Sequence, residues 1–194
     1  ALTLTTGAHA QAISGRWDAI VTVKDQAIPF RLDLTDAKGR AAGKLWDGDH
    51  PKHASTSGRF ANRDLHLEFA SLASKLDARW DKGVLRGTYN AYPFEARPHK
   101  DVRPDPKAPP IAGEWRIPVN SPKGEKAWRF IVQQRNGEAY ATILRIDGDT
   151  GTLNGIYRNG KYTLSRFAGE RAGLIEATPQ RDGSLNLIVY DGGG

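Results

Sequence analysis

The chain has 194 residues, a net charge of +6, 39% hydrophobic and 26% charged residues, and neither cysteine nor methionine. With no cysteine, this stretch holds no thiol nucleophile, disulfide, redox pair or sulfur-built zinc site. No run approaches the roughly 18 consecutive apolar residues of a membrane-spanning helix, and no basic tract interleaved with aromatics marks a nucleic-acid surface.

The opening, residues 1–12, carries overlapping small-x-small sites, Ala8-His9-Ala10 and Ala10-Gln11-Ala12, after Leu2 and Leu4. It is expected to be a signal-peptide remnant, which places the protein in the periplasm or otherwise outside the cytoplasm. From residue 13 the pattern has period two. Trp17, Ala19, Val21 and Val23 alternate with polar neighbours, as do Ile28, Phe30, Leu32 and Leu34. Such runs are half-buried strands, apolar on one face and wet on the other. The first half predicts eight of them: 16–23, 28–35, 40–46, 55–61, 64–70, 74–80, 84–90 and 92–97. The one helical rival, Phe69, Leu72, Ala73 and Leu76, lies inside two alternating runs and predicts no more than a short helical turn. Turn signals such as Asp36-Ala37-Lys38-Gly39, Asp81-Lys82-Gly83, Asn136-Gly137 and Asn159-Gly160 separate the runs.

Residues 98–110 contain five prolines in thirteen positions, which predicts an extended linker that cannot join a sheet. Beyond it the first half returns. Ile13-Ser14-Gly15-Arg16-Trp17 matches Ile111-Ala112-Gly113-Glu114-Trp115, and Trp46-Asp47-Gly48-Asp49 matches Ile146-Asp147-Gly148-Asp149. Gly58-Arg59-Phe60-Ala61-Asn62 matches Gly155-Ile156-Tyr157-Arg158-Asn159, and Gly83-Val84-Leu85 matches Gly183-Ser184-Leu185. The second half predicts seven strands: 114–119, 127–134, 138–146, 152–158, 161–167, 173–178 and 184–190. No counterpart of Tyr92-Pro93-Phe94-Glu95-Ala96-Arg97 follows, so a closing strand is expected beyond residue 194. The expected fold is all-β: two tandem antiparallel up-and-down barrels or sandwiches, at 13–97 and 111–194, the second lacking its last strand.

No constellation carries chemistry, and no catalytic, cofactor-binding or metal-binding residue is assigned. His50-Pro51-Lys52-His53 spaces two imidazoles three apart, but Pro51 opposes a helix, so an exposed loop is expected. His66 alternates with Leu65 and Leu67 and is expected to face solvent. Asp47/Asp49 and Asp147/Asp149 form Asp-x-Asp triplets without the remaining ligands of a calcium loop, so turn chemistry is expected. No serine sits in a nucleophile elbow, and Asp191-Gly192-Gly193-Gly194 lacks the Lys-Ser/Thr of a phosphate cradle. The five tryptophans, Trp17, Trp46, Trp80, Trp115 and Trp128, either line a barrel mouth or fill equivalent core positions. The Trp17/Trp115 repeat favours the core.

The Ser-Gly-Arg-Trp-Asp opening of residues 14–18, the Ile28-Pro29-Phe30-Arg31-Leu32 strand, and Ile111–Val119 with Ser121–Arg129 and Ile143–Leu153 resemble the N-terminal β-rich region of exported TlpA-like, thioredoxin-fold disulfide reductases of bacteria. The resemblance covers most of residues 13–190. It implies that this chain is the non-catalytic accessory or interaction region of a periplasmic thiol–disulfide oxidoreductase. The redoxin domain of such a protein, with its Trp-Cys-x-x-Cys site, would lie beyond residue 194 in the same polypeptide. It implies a periplasmic protein client as a possible further partner, and no catalytic residue carries over to this chain. Two other classes remain open: a free-standing lipocalin-like binder of a small apolar ligand, and a surface adhesion or protein-inhibitor module.

Overall fold

The computed structural model of the protein describes residues 13–169 and 171–191. The expected signal remnant, residues 1–12, and the glycines 192–194 lie outside the described residues. The first half forms β1 (Gly15–Val23), β2 (Gln26–Ala37), β3 (Arg40–Asp47), β4 (His50–Ala54), β5 (Ser57–Ala61), β6 (Asp64–Phe69), β7 (Ser74–Asp81), β8 (Val84–Tyr89) and β9 (Tyr92–Pro98). Both β4 and β5 pair with β3 and are parted by Ser55 and Thr56, so together they act as one bulged stave. Every other strand pairs antiparallel with its chain neighbour, and β9 returns to β1, with Ala19 opposite Ala96. The result is a closed barrel of eight staves, which leaves no free edge.

Local chemistry sets this register. Two-residue turns with positive φ at both positions close the hairpins at Lys24-Asp25, Lys38-Gly39, Asn62-Arg63 and Lys82-Gly83. Their twist matches that of the strands they join. The alternation then sends Trp17, Ala19, Val21 and Val23 inward on β1, with Leu32, Leu67 and Leu85 among the fully buried side chains facing them. Phe30 and Phe94 fill the centre with their rings 6.3 Å apart. The expected helical turn is a 3-10 segment, Ala70–Leu72, closed by Ala73 in the left-handed region.

The second half repeats the plan. It contains β10 (Gly113–Pro118), β11 (Ala127–Arg135), β12 (Glu138–Arg145), β13 (Gly148–Asp149), β14 (Leu153–Arg158), β15 (Lys161–Ala168), β16 (Arg171–Pro179) and β17 (Leu185–Asp191). The repeat extends to single atoms. Trp17 Nε1 donates to the Ile13 carbonyl at 2.8 Å, and Trp115 Nε1 to the Ile111 carbonyl at 2.9 Å. Gly58 lies opposite Leu67 as Gly155 lies opposite Leu164. A Cβ at Gly58 would sit 2.4 Å from the Ala41 oxygen, and one at Gly155 would sit 1.7 Å from the Thr163 oxygen. Close backbone approach therefore demands glycine at both. Among the described residues, however, β10 pairs only with β11 and β17 only with β16. This sheet curls without closing.

Two details differ from the expected elements. His50–Ala54 is a strand where a loop is expected, because β3 runs on to Asp47 and its edge takes up the polar segment. In the second half the matching turn falls on Ile146-Asp147, with Gly148 already paired to Arg145, so the two Asp-x-Asp triplets occupy different turn positions.

The proline-rich segment is not a free tether. His99 Nδ1 lies 2.7 Å from Asp18 Oδ1, the Tyr162 hydroxyl donates to the Pro109 carbonyl, and Gln134 Oε1 accepts from the amides of Ile111 and Ala112. The halves also share a core. Phe167 leaves the outer face of β15 and enters the first barrel, with ring centroids 4.8 Å from Phe30 and 4.9 Å, edge-on, from Tyr89. Leu174 of β16 joins it there. No helix among the described residues is long and apolar enough to cross a membrane.

Phe167 is fully buried in a core belonging to the other half, so Phe167→Ala removes packing and docking together. Urea denaturation is expected to show a loss of about 3–5 kcal/mol. Ile146→Ala, at a side chain 68% exposed, is expected to stay within about 0.5 kcal/mol.

Candidate functional site

A cluster of buried polar groups lies where the halves meet. The last residue of β3, Asp47, is buried and accepts hydrogen bonds from Lys52 Nζ at 2.6 Å and Arg166 Nε at 3.0 Å. The β3–β4 turn brings Lys52 to it from the same half, and β15 brings Arg166 from the other. Gly48, with φ +63°, lets the turn pass Thr152, whose methyl would meet a Cβ there at 2.7 Å. Nearby, Arg31 of β2 pairs with Glu138 of β12, and the Tyr140 hydroxyl donates to the same carboxylate. Arg135 pairs with Asp49 across the junction, and the Ser165 hydroxyl donates to the Pro29 carbonyl at 2.6 Å. These are cross-half clamps, with buried carboxylates satisfied by cations and hydroxyls.

The histidines singled out by sequence are not brought together. His50 sits beside Asp49 on the surface, while His53 is half-buried, and its burial, with Lys52 next, holds the imidazole below its usual range. His66 lies on the outer face of the first barrel with Nδ1 2.6 Å from Asp77 and Nε2 3.4 Å from Glu68. The Asp77 hydrogen bond foremost, opposed by partial burial, raises its pKa. With both ring nitrogens directed at carboxylates, it offers no free lone pair for general-base work. The neighbouring Ser57 hydroxyl donates to Glu68 instead of to the imidazole.

The Asp-x-Asp carboxylates are likewise engaged. Asp147 accepts from Lys123 Nζ at 2.6 Å, and Asp149 accepts from the Gly151 amide at 2.8 Å, an Asx turn. Among the described residues no group of three or more histidines, aspartates or glutamates is placed to hold a metal. Trp17 is core; Trp80 packs half-buried against the first core, and Trp115 and Trp128 against the second. Trp46 points outward under the Arg16 guanidinium, 4.0 Å from its ring centroid. In the first core the Tyr89 phenol is pushed up to about 12 by burial, against its hydrogen bond with Ser74, and stays neutral.

One open pocket of about 290 Å³ lies between the proline-rich segment and the second sheet. Its polar walls are largely engaged already: Arg135 stacks 4.3 Å over Tyr140 and pairs with Asp49, Glu138 pairs with Arg31, and Tyr162 bonds Pro109 and Gln134. Sequence reading missed Arg31, Glu138, Arg166 and Phe167, which do the joining. Phe167 falls on the wet-face parity of its strand, since Tyr162 and Leu164 point into the second core. An aromatic out of phase was the available signal. Comparison with family models, with curated proteins and with solved structures found no match to this chain.

Burial pushes the Asp47 carboxyl up, but hydrogen bonds and charge from Lys52 and Arg166 more than offset this and hold it below the usual carboxylate range. A carboxyl depressed on folding gives stability that is fully present above its unfolded value, about 3.9, and is lost as pH falls through the lower folded value. Asp47→Asn is therefore expected to cost about 1.5–3 kcal/mol at neutral pH. In urea titrations the gap from the parent protein should narrow only below about pH 4.

Proposed function

We propose that this chain is a non-catalytic accessory module of an exported TlpA-like thiol–disulfide oxidoreductase. Its redoxin domain, carried by the same polypeptide, performs the exchange chemistry while these two β units position that domain or its protein client. The observation that carries the reading is where the ionisable groups go. Asp47, Glu138, Arg31 and Arg166 are spent on joining the halves, and the chain has no cysteine. A body of this kind holds and spaces; it does not turn over substrate. The resemblance over most of residues 13–190 to the β-rich region of such reductases is what suggests the catalytic class and the periplasmic setting. The carrier reading finds no comparable support, because the first barrel is filled by contacting aromatic rings and leaves its interior to side chains.

Reading the gene across codon 194 tests the proposal. A thioredoxin-like domain with a Cys-x-x-Cys site is the expected result, and a stop codon or a downstream sequence without that site contradicts it. With the whole protein in hand, deletion of residues 13–191 is expected to leave reduction of a small soluble disulfide unchanged and to slow reduction of a folded protein disulfide. Equal loss on both substrates points to a purely structural role.

A further inference from the structure

The His50-Pro51-Lys52-His53 run lies on β4, the one strand of the first barrel with a single partner: it pairs with β3, and its other edge meets no strand among the described residues. Contacts with the second half help to hold this hairpin in place. Asp49 pairs with Arg135, and Gly48 lies against Thr152. Within the first half, Lys52 Nζ adds a bond of 2.6 Å to Asp47, which Arg166 Nε also reaches at 3.0 Å. His53 lies opposite the fully buried Leu45. Its Nε2 is closed off from solvent and has no hydrogen-bond partner among the described residues. The charged groups that bear on it are Lys52 of its own strand, Asp47 of β3 and Arg166 of β15. A neutral imidazole can leave a lone pair at Nε2 without a partner at modest cost. An imidazolium buries an N–H that nothing accepts, beside two cations whose shared carboxylate is already engaged.

We propose that β4 is an acid-released flap: it stays fastened to β3 and to the second half while His53 is neutral, and peels from β3 when Nε2 takes up a proton. Peeling gives the new N–H to water and carries its charge away from Arg166. Burial first, and then Lys52, holds the imidazole of the fastened flap below its ordinary range, with Asp47 pulling the other way. The released strand binds a proton at about pH 6.5 and the fastened one only at lower pH. The flap therefore holds fully above about pH 6.5 and loosens as pH falls below it. Asp47 stays ionised through this window, because Lys52 and Arg166 keep its carboxyl below the usual range. Release is local: Phe167 remains in the first core and Arg31 remains paired with Glu138, so the halves stay joined while Thr152 is uncovered. This inference does not depend on the assignment to a disulfide reductase.

The test is hydrogen–deuterium exchange of the whole chain at about pH 7.5 and about pH 5.5, corrected for the intrinsic pH dependence of amide exchange. Protection of residues 44–54 is expected to fall by about three- to tenfold at the lower pH, about tenfold being the limit for one group about one unit below its open-state value. The ladders of β6, β7 and β8 are expected to keep theirs. His53→Gln, neutral at both pH values, is expected to remove the response. His50→Gln, at an exposed histidine of the same hairpin, is expected to keep it. Should His53→Gln fail to fold, the imidazole titration of the unmodified chain followed by NMR decides alone: His53 is expected to titrate below about 6.5, and a midpoint at or above that value overturns the proposal. Protection of 44–54 that does not change with pH overturns it too. So does a loss shared equally by β6, β7 and β8, a response that survives His53→Gln, or one that vanishes in His50→Gln.

Discussion

A β-strand has two edges, and each exposes a row of amides and carbonyls that must find partners or water. The first half meets this constraint, since β9 returns to β1 and the sheet closes on itself with its one bulged stave at β4 and β5. The buried state of Trp17, Leu32 and Leu85 follows from that closure, because an inward side chain is covered only when the staves on both sides of it are present. The second half repeats the strand order, the glycine at Gly58 as Gly155 and the tryptophan-to-carbonyl bond, yet its cover is incomplete along one strip. The difference between the closed first barrel and the open second sheet turns on that single strand.

The junction between the halves answers a second demand. Two small β units side by side gain little unless they share a core, and Phe167 supplies it by entering the neighbouring barrel between Phe30 and Tyr89. The buried carboxylates of Asp47 and Glu138 then fix the orientation, each satisfied by an arginine on the opposite half from its own. Apolar contact provides most of the stabilisation here, and the ion pairs set geometry, since desolvation cancels much of their Coulombic gain. The proline-rich segment reinforces the arrangement through Pro109 and His99.

Much of this was legible in the residues. Alternation located most of the strands, and Asn136-Gly137, Asn159-Gly160 and Lys82-Gly83 announced their turns, because only residues tolerant of positive φ serve there. The repeated Trp17 and Trp115 announced the duplication. The turns at Lys24-Asp25 and Asn62-Arg63 carry no glycine, and β4 hides in a polar segment with a proline, so neither has a strong local signature. The clamps were illegible for a deeper reason. Arg31 and Glu138 are 107 positions apart in the chain, and nothing in either neighbourhood distinguishes a clamp from a solvated surface charge. His66 likewise needed the register with Asp77 before its engagement by two carboxylates could be seen.

Native-state hydrogen exchange on the isolated protein tests the account most directly. The outward-pointing amides of β10 and β17 are predicted to exchange rapidly by local exposure, while the corresponding amides of β1 and β8, which face β9, exchange only on global opening. Equal, slow exchange in all four strands would mean that the second sheet is already closed, and would contradict the account at its root.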